Sequence, residues 1–211
     1  MRMKQEEILN LLLLRYPQLK KLPLVEAYAI LSSTYHKGGK ILLCGNGGCA
    51  SDAEHIVGEL MKGFLLERKL NNREKEKFGD IPGGSMIAAN LQKAIPAISL
   101  NSQTSLMTAI GNDICFEMIY AQQVYAYGRK EDCLFVLSTS GKSENILAAV
   151  ITAKALGIKS VCITGEGESP IGNLCDVKIA LPSYETYLIQ EYGLAVYHTL
   201  CAMLESDCFG G

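Results

Sequence analysis

Residues 41–48 read Ile-Leu-Leu-Cys-Gly-Asn-Gly-Gly, so a short apolar run passes directly into a glycine-rich turn. The run is apolar throughout rather than alternating, which is typical of a strand covered on both faces of a sheet. Four more apolar runs of strand length follow, at residues 95–100, 134–137, 160–164 and 177–181. Most lead into a loop of small residues and then a helix-like stretch. The sequence therefore predicts an α/β fold, a doubly wound parallel sheet of about five strands flanked by helices.

The N-terminal part of the chain carries helical signals instead. Leucines recur at helical spacing over residues 9–16, before Pro17. A second apolar helical pattern over residues 24–36 stops at Gly38 and Gly39. We therefore divide the chain into an N-terminal helical segment, residues 1–37, and an α/β domain, residues 38–211.

Residues 65–84 interrupt the alternation of strands and helices. They carry a dense run of charged side chains of both signs, among them Arg68 and Lys69. This pattern favours a solvated helix and loop on the surface, with a mobile lid or an oligomer contact as alternatives.

Composition excludes several classes of protein. The 211 residues include 20 Lys and Arg against 22 Asp and Glu, so there is no basic excess to neutralise a nucleic-acid backbone. With 48% hydrophobic and 20% charged residues, the chain has the composition of a globular protein. No apolar run approaches the ~20 residues of a membrane span, and no signal peptide is recognisable. None of the eight cysteines forms a C-x-x-C pair. We expect reduced cysteines, a cytoplasmic location, and neither a nucleic acid nor a membrane as partner.

Two loops at predicted strand ends are candidates for ligand binding. In the turn at residues 45–48, glycines allow positive φ angles and let a ligand approach backbone N–H groups; a plain strand-to-helix turn is the alternative. The second loop reads Ser138-Thr139-Ser140-Gly141-Lys142-Ser143, with four hydroxyls at the start of a predicted helix. Hydroxyls and free N–H groups at a helix N-terminus bind phosphate. Ser143 alone is explicable as a helix cap, but four hydroxyls exceed what a cap needs.

A third set of residues has the chemistry of a metal site. His55 and Glu59 share a helix face at i,i+4, and Gln190 and His198 lie at i,i+8 on the last predicted helix. The last two are offset by about 80° and by roughly 12 Å along the axis, yet can converge on one ion from either side. Two imidazoles, a carboxylate and an amide oxygen suit zinc or another first-row divalent ion. Taken singly, each histidine can equally be a satisfied, partly buried side chain, and Glu59 a surface acid.

Together these loci resemble the phosphoheptose isomerase family of sugar isomerase domain proteins, over about residues 38–205. The resemblance is carried by Gly45-Asn46-Gly47-Gly48 with Asp52, by His55-x-x-x-Glu59, by Gly111-Asn112-Asp113, by the hydroxyl loop 138–143, and by Ile189-Gln190-Glu191 followed by His198. The hydroxyl loop marks only the superfamily, whereas the set of His55, Glu59, Gln190 and His198 is more specific.

The resemblance implies conversion of D-sedoheptulose 7-phosphate to D-glycero-D-manno-heptose 7-phosphate through an enediol. It also implies one zinc ion per subunit and a homotetramer with active sites at subunit interfaces. Its implied substrate-binding residues are Asn46, Gly47, Gly48, Glu59, Asn112, Asp113, Ser138, Thr139, Ser140, Ser143 and Gln190. Its implied metal ligands are His55, Glu59, Gln190 and His198. Our hypothesis for the chemistry takes Glu59 as the base and His198 as its acid partner.

Other readings of the same chain stay open. A non-catalytic sugar isomerase domain can sense a phosphosugar or act as a replication-associated scaffold, although a scaffold has no use for the metal set. An isomerase of another sugar phosphate is the third alternative. Tyr187, Leu188 and Gln103 depart from residues common in the family, and the charged segment is longer than in its best-known members.

Overall fold

A computed structural model describes residues 3–210 and contains a five-stranded sheet. The strands are β1 (Ile41–Gly45), β2 (Ala97–Ser99), β3 (Cys133–Ser138), β4 (Lys159–Gly165) and β5 (Val177–Leu181). All neighbours are parallel, in the order β2-β1-β3-β4-β5. This confirms the doubly wound α/β prediction. The strand order reverses between β1 and β3, and that switch point is where such sheets bind ligands.

The helices lie on both faces of the sheet. They are α1 (Gln5–Arg15), α2 (Leu24–His36), α3 (Gly48–Met61), α4 (Asn72–Glu76), α5 (Gly84–Asn90), α6 (Thr104–Asp113), α7 (Ala121–Tyr127), α8 (Glu144–Ala155), α9 (Pro170–Leu174) and α10 (Thr186–Phe209). Residues alternate along each strand, so Leu43 and Phe135 pack against α1, α2, α3 and α10, while Leu42 and Val136 pack against α6–α9.

The N-terminal helices belong to the same core as the sheet. Leu12 of α1 and Leu31 of α2 are buried with Phe135 and Ile163 in one apolar cluster. The predicted boundary after residue 37 falls in the turn between α2 and β1. It marks a change of element, and the division into two parts stays a prediction.

The second strand is shorter than predicted, three residues instead of the six at 95–100. Pro96 lies immediately before it and has no N–H to donate to a ladder, which confines it to the border of an edge strand. Pairing continues only through single bonds on either side, from Ile41 N to Pro96 O and from Leu100 N to Leu43 O.

The charged segment corrects one expectation. Most of it lies at the surface, including Lys69 and the short helix α4, but Arg68 is 2% exposed. The prediction of a uniformly solvated excursion was therefore wrong at Arg68. A charge pattern cannot reveal that Arg68 pairs with a buried carboxylate, Glu205, on α10.

All eight cysteines are free, as expected from their spacing. Cys44, Cys133 and Cys162 are buried in strands. Across residues 3–210, no helix combines the length and the apolar character that crossing a bilayer requires.

Candidate functional site

The two predicted loops meet at the switch point of the sheet. Gly47 has a φ of 55° and precedes α3, while Gly141 has a φ of 63° between β3 and α8. Both angles lie in the left-handed region, where a residue without a Cβ is favoured. Because β1 and β3 are neighbours, their carboxyl ends bring these turns side by side.

A network of amide groups joins the two loops. The Asn46 and Asn145 side chains exchange hydrogen bonds of 2.8 Å and 3.0 Å. The Tyr120 hydroxyl donates to Gly45 O at 2.6 Å, and Asn101 Nδ2 lies 2.6 Å from both that carbonyl and the hydroxyl. The network fixes the backbone of the first loop, so its N–H groups are held in place before any ligand arrives.

The hydroxyl loop offers its side chains to the same space. Ser138 is buried, Thr139 and Ser143 are half-buried, and Ser140 is exposed. The hydroxyls of Ser138 and Ser143 lie 3.4 Å apart. Ser143 occupies the N-cap position of α8, yet its side chain makes no capping bond. Its hydroxyl therefore remains available for an anion at the helix N-terminus.

Helices α3 and α10 run side by side in the same direction. Gln190 contacts the start of α3, where its Nε2 lies 2.1 Å from the place a Cβ on Gly48 would take. Seven residues further along α3, His55 meets His198. The Gln190 amide thus occupies the space that a side chain at position 48 would enter, so the start of α3 and α10 are in direct contact.

His55, Glu59 and His198 form one cluster whose ligand atoms all lie within 4.8 Å of one another. His55 Nε2 lies 3.3 Å from His198 Nε2 and 3.3 Å from Glu59 Oε1. Tetrahedral zinc with bonds of about 2.0–2.1 Å separates its nitrogen and oxygen ligands by about 3.3 Å. Three of the four predicted ligands thus come together, and the two spacings from His55 suit such an ion.

Gln190 does not join that cluster within the chain. It and His198 lie on one uninterrupted helix, roughly 12 Å apart along its axis. The Gln190 side chain instead lies beside Gly48 and Cys49 at the start of α3. Its assignment as a metal ligand stays a prediction, while its position suits contact with a substrate held at Gly47 and Gly48.

Tyr197 and Asp52 define the protonation of His55. The Tyr197 hydroxyl donates to Asp52 Oδ1 at 3.1 Å and lies 3.1 Å from His55 Nδ1. With Asp52 ionised, the single phenolic proton is used on the carboxylate, so His55 Nδ1 must donate to the hydroxyl. In the neutral imidazole this tautomer leaves the lone pair on Nε2, the nitrogen that faces Glu59 and His198, and that form binds a metal.

Burial shifts the pKa values of two side chains around this cluster. It is the main cause that lowers the pKa of His198 below its ordinary value, aided by His55 and opposed by Glu59. Burial also raises the pKa of Asp52, against the hydrogen bond from Tyr197 and the charge of His55. A lowered pKa keeps the His198 imidazole neutral near pH 7, as ligation or proton acceptance requires.

Glu59 has one oxygen in the cluster and one outside it. Its Oε2 is buried and has no hydrogen-bond partner. The Lys62 ammonium is 3.7 Å away, within reach of its charge but beyond a hydrogen bond. A buried, unpaired carboxylate oxygen is costly unless a ligand or ion completes it. The unpaired Oε2 is therefore available to a ligand, while Oε1 and the two imidazoles are a donor set that fits a divalent ion.

Beside the cluster, a cavity of about 320 Å³ opens between α1 and α10. His198, Phe64, Leu12 and Tyr16 are among its lining residues. His198 therefore faces open space on the side away from His55.

Asn112 and Asp113 stand apart from these groups. They occupy the last turn of α6, are exposed, and hydrogen-bond each other at 2.8 Å. Within the described residues of this one chain, nothing recorded joins them to the loops or to the cluster. Their assignment to sugar hydroxyls stays a prediction.

Sequence reasoning assigned no role to Asn101, Tyr120, Asn145 or Tyr197. The signal available for Asn145 was its place directly after the hydroxyl loop. Tyr197 adjoins His198 and lies on a predicted helix, but nothing in the sequence pairs its hydroxyl with Asp52, 145 residues earlier.

Comparison with known proteins agrees with this geometry. The SIS domain family model matches residues 106–206. The chain is 41% identical over 174 residues to a phosphoheptose isomerase of Burkholderia pseudomallei, covering 82% of this chain and 76% of that protein. The solved phosphoheptose isomerase of Neisseria gonorrhoeae superposes with a TM-score of 0.69 at 31% identity, over 86% of this chain and 85% of that one. That of Francisella tularensis gives 0.71 at 30% identity, over 97% and 100%.

Proposed function

This chain belongs to the phosphoheptose isomerase family, and we propose that it converts D-sedoheptulose 7-phosphate to D-glycero-D-manno-heptose 7-phosphate. The observation that carries the proposal is the cluster of His55, Glu59 and His198, built on the helix that follows the first ligand loop. A sensor or scaffold would have no need for such a set.

The spacing of the two regions supports a long sugar phosphate as substrate. His55 lies about 10 Å along α3 from Gly48, by the rise of an α-helix. With the phosphate among Ser138, Thr139, Ser140 and Ser143, a seven-carbon chain extends toward the cluster and brings C1 and C2 there. Binding energy from the phosphate then orients carbons that it does not touch.

Proton transfer is assigned to the chain's own residues. Glu59 takes a proton from C1 of the ketose and returns it to C2, so that an enediol forms and collapses to the aldose. His198, neutral near pH 7, accepts the proton of the C1 hydroxyl and gives it to the C2 oxygen. The two oxygens of Glu59 divide its tasks: Oε1 faces His55, and the unpaired Oε2 is free to act as the base.

Zinc is the group proposed for the cluster, held by His55, Glu59 and His198 with Gln190 as the fourth predicted ligand. When bound, it supplies Lewis-acid polarisation of the carbonyl and stabilises negative charge on the enediolate. The bare Nε2 of His55 and the lowered pKa of His198 leave both imidazoles ready to coordinate.

The proposal includes a homotetramer and a cytoplasmic location. Three exposed apolar side chains line the cavity beside His198: Leu11 is 47% exposed, Leu65 59% and Leu194 41%. A second copy covering this face would remove them from water. Sedimentation at assay concentration tests the assembly, and a monomer there overturns this part.

Turnover of sedoheptulose 7-phosphate, followed by NMR on metal-loaded and chelated protein, tests the function. We expect conversion to the aldoheptose phosphate that stops on chelation and returns with zinc. No conversion by folded, metal-loaded protein would contradict the substrate. Conversion that is indifferent to chelation would contradict the role of the metal.

The same assay tests Glu59. Glu59→Gln should lower kcat by about 10²–10⁴-fold, the contribution of a general base. Glu54→Gln is the matched control, because Glu54 lies on the same helix but is exposed and bonded to Ser102. Near-normal turnover by Glu59→Gln would refute its role.

A further inference from the structure

Below the cluster, a buried ion pair connects the end of α3 to α10. Arg68 Nε donates to Glu205 Oε1 at 2.7 Å, and the two side chains are 0% and 1% exposed. Glu205 lies seven residues after His198 on α10, and Arg68 lies seven residues beyond the end of α3. A buried pair of this kind costs desolvation, and well-packed apolar residues often serve stability equally well.

The remaining nitrogens of Arg68 hold the last turn of α3. One terminal nitrogen, Nη1, donates to Leu60 O at 2.6 Å, and Nη2 donates to Glu59 O at 3.0 Å. Carbonyls in the last turn of a helix have no partner within it, and a cation there also complements the helix dipole. One of the two carbonyls belongs to Glu59 itself, so the guanidinium fixes the backbone that carries this carboxylate.

Glu205 holds the other side of the cluster. Its Oε1 accepts from Phe64 N at 2.7 Å, and its Oε2 accepts from Leu65 N at 2.7 Å and Leu66 N at 3.1 Å. The Phe64 ring lies 5.5 Å from the His198 ring. Glu205 thus fixes the loop whose aromatic ring packs beside His198.

We propose that Arg68 and Glu205 are positioning residues that set Glu59 against His198, an inference that rests on the proposed function of that cluster. Glu59 comes from α3 and His198 from α10, so the cluster depends on how these two helices are placed. Arg68 is hydrogen-bonded to the backbone of Glu59, and Glu205 is hydrogen-bonded to the loop beside His198. A displacement of about 1 Å between groups that act together can cost about 10²-fold in rate.

Arg68→Lys tests this proposal. Lysine keeps the charge beside Glu205 but lacks the planar fork that reaches both carbonyls at once. We expect the zinc affinity of the protein, measured by competition with a chromophoric chelator, to fall about tenfold or more, as when supporting groups of a metal site are removed. We also expect kcat to fall at least tenfold, while KM for the sugar phosphate stays nearly unchanged, because the hydroxyl loop lies at the switch point of the sheet.

Asp132→Asn is the matched control for a general loss of stability. Asp132 is another buried carboxylate, 3% exposed, that accepts from Lys40 Nζ and from the Lys40 and Arg129 backbones. It lies at the amino ends of β1 and β3, opposite the ligand loops. This variant should unfold at a lower temperature yet keep zinc affinity and kcat.

Unchanged zinc affinity and kcat in Arg68→Lys would overturn the proposal. It would also be overturned if Asp132→Asn lost as much zinc affinity and kcat as Arg68→Lys. Glu205→Gln, which keeps the side-chain size and one acceptor oxygen, is the second variant if Arg68→Lys does not fold. Its zinc affinity and kcat are then compared with those of Asp132→Asn in the same way. If the wild-type chain does not convert sedoheptulose 7-phosphate, the proposed function fails, while the zinc affinities still decide whether Arg68 and Glu205 position the cluster.

Discussion

His55 depends on contacts at both of its ring nitrogens. Its Nδ1 faces the Tyr197 hydroxyl and its Nε2 faces Glu59 and His198. Burial and the neighbouring Asp52 raise the pKa of Tyr197, so the phenol keeps its proton near neutral pH. The resulting order of donors, His55 to Tyr197 to Asp52, selects one imidazole tautomer and one ring orientation.

Tyr197→Phe should therefore weaken zinc binding about tenfold or more, since His55 Nδ1 loses its acceptor and the ring its orientation. Competition with a chelator measures the change. Tyr192→Phe is the control on the same helix, where the ring packs edge-on against Tyr16 at 6.2 Å. Equal affinities in the two variants would show that the Tyr197 hydroxyl does not support His55.

At the scale of elements, the start of α8 differs from an ordinary capped helix. Ser143 stands at the N-cap without bonding a backbone N–H, whereas Ser169 at the N-cap of α9 accepts from Gly172 N at 2.8 Å. The Ile146 N–H is taken by the Asn145 side chain at 3.0 Å, but the Ser143 hydroxyl, beside Ser138, Thr139 and Ser140, is left for an anion at this helix N-terminus. The position of the loop at the switch point makes this local pattern a candidate binding site.

Replacing Ser140 and Ser143 together with Ala should raise KM for the sugar phosphate about tenfold, through the loss of hydrogen bonds to a charged group. The free energy of unfolding should change by less than about 0.5 kcal/mol, because no capping bond is lost. Initial rates and urea unfolding measure the two quantities. A stability loss of about 1 kcal/mol with KM unchanged would mean that these hydroxyls serve the helix instead.

At the scale of the whole molecule, acidic side chains near the N-terminal ends of the strands add hydrogen bonds between strands to those of the backbone ladders. Asp176, which precedes β5, accepts from Lys159 Nζ at 2.5 Å and from Ser160 N at 2.9 Å, both on β4. Burial acts to raise the pKa of Asp176, but the hydrogen bonds from Lys159 and Ser160 outweigh it and lower that pKa. The ionised form is therefore the one that stabilises the fold.

Asp176→Asn should lower the free energy of unfolding by about 1 kcal/mol at neutral pH. Because the folded pKa lies below the unfolded value of about 3.9, this contribution is complete above that pH and is lost as the pH falls through the folded pKa. The difference in the free energy of unfolding between wild type and variant, measured by urea unfolding, should become smaller below about pH 4. Asp80→Asn at an exposed site is the control; a difference that does not depend on pH would contradict the assignment.

Local pattern was sufficient for the elements and their order along the chain. An apolar run such as 41–44, followed by glycines, predicts a strand and its turn because backbone sterics and burial act over a few residues. The i,i+4 spacing of His55 and Glu59 likewise predicted a shared helix face, which the structure confirms. The strand at 95–100 was predicted too long because the missing N–H of Pro96 limits pairing at the edge.

The sequence by itself determined that this chain is a parallel α/β protein with hydroxyl- and glycine-rich loops at strand ends, because periodicity and turn chemistry are local. It also supplied side chains of the kinds that bind metals. Only the tertiary structure decided which groups meet: His55 with His198, Asn46 with Asn145, and Arg68 with Glu205 are each separated by about a hundred residues or more. It also decided that Gln190 lies beside Gly48. The contacts of α10 follow from its packing beside α3 on one face of the sheet, and that of Asn46 with Asn145 follows from the pairing of β1 with β3. No local pattern encodes the distance between elements that are remote in the chain.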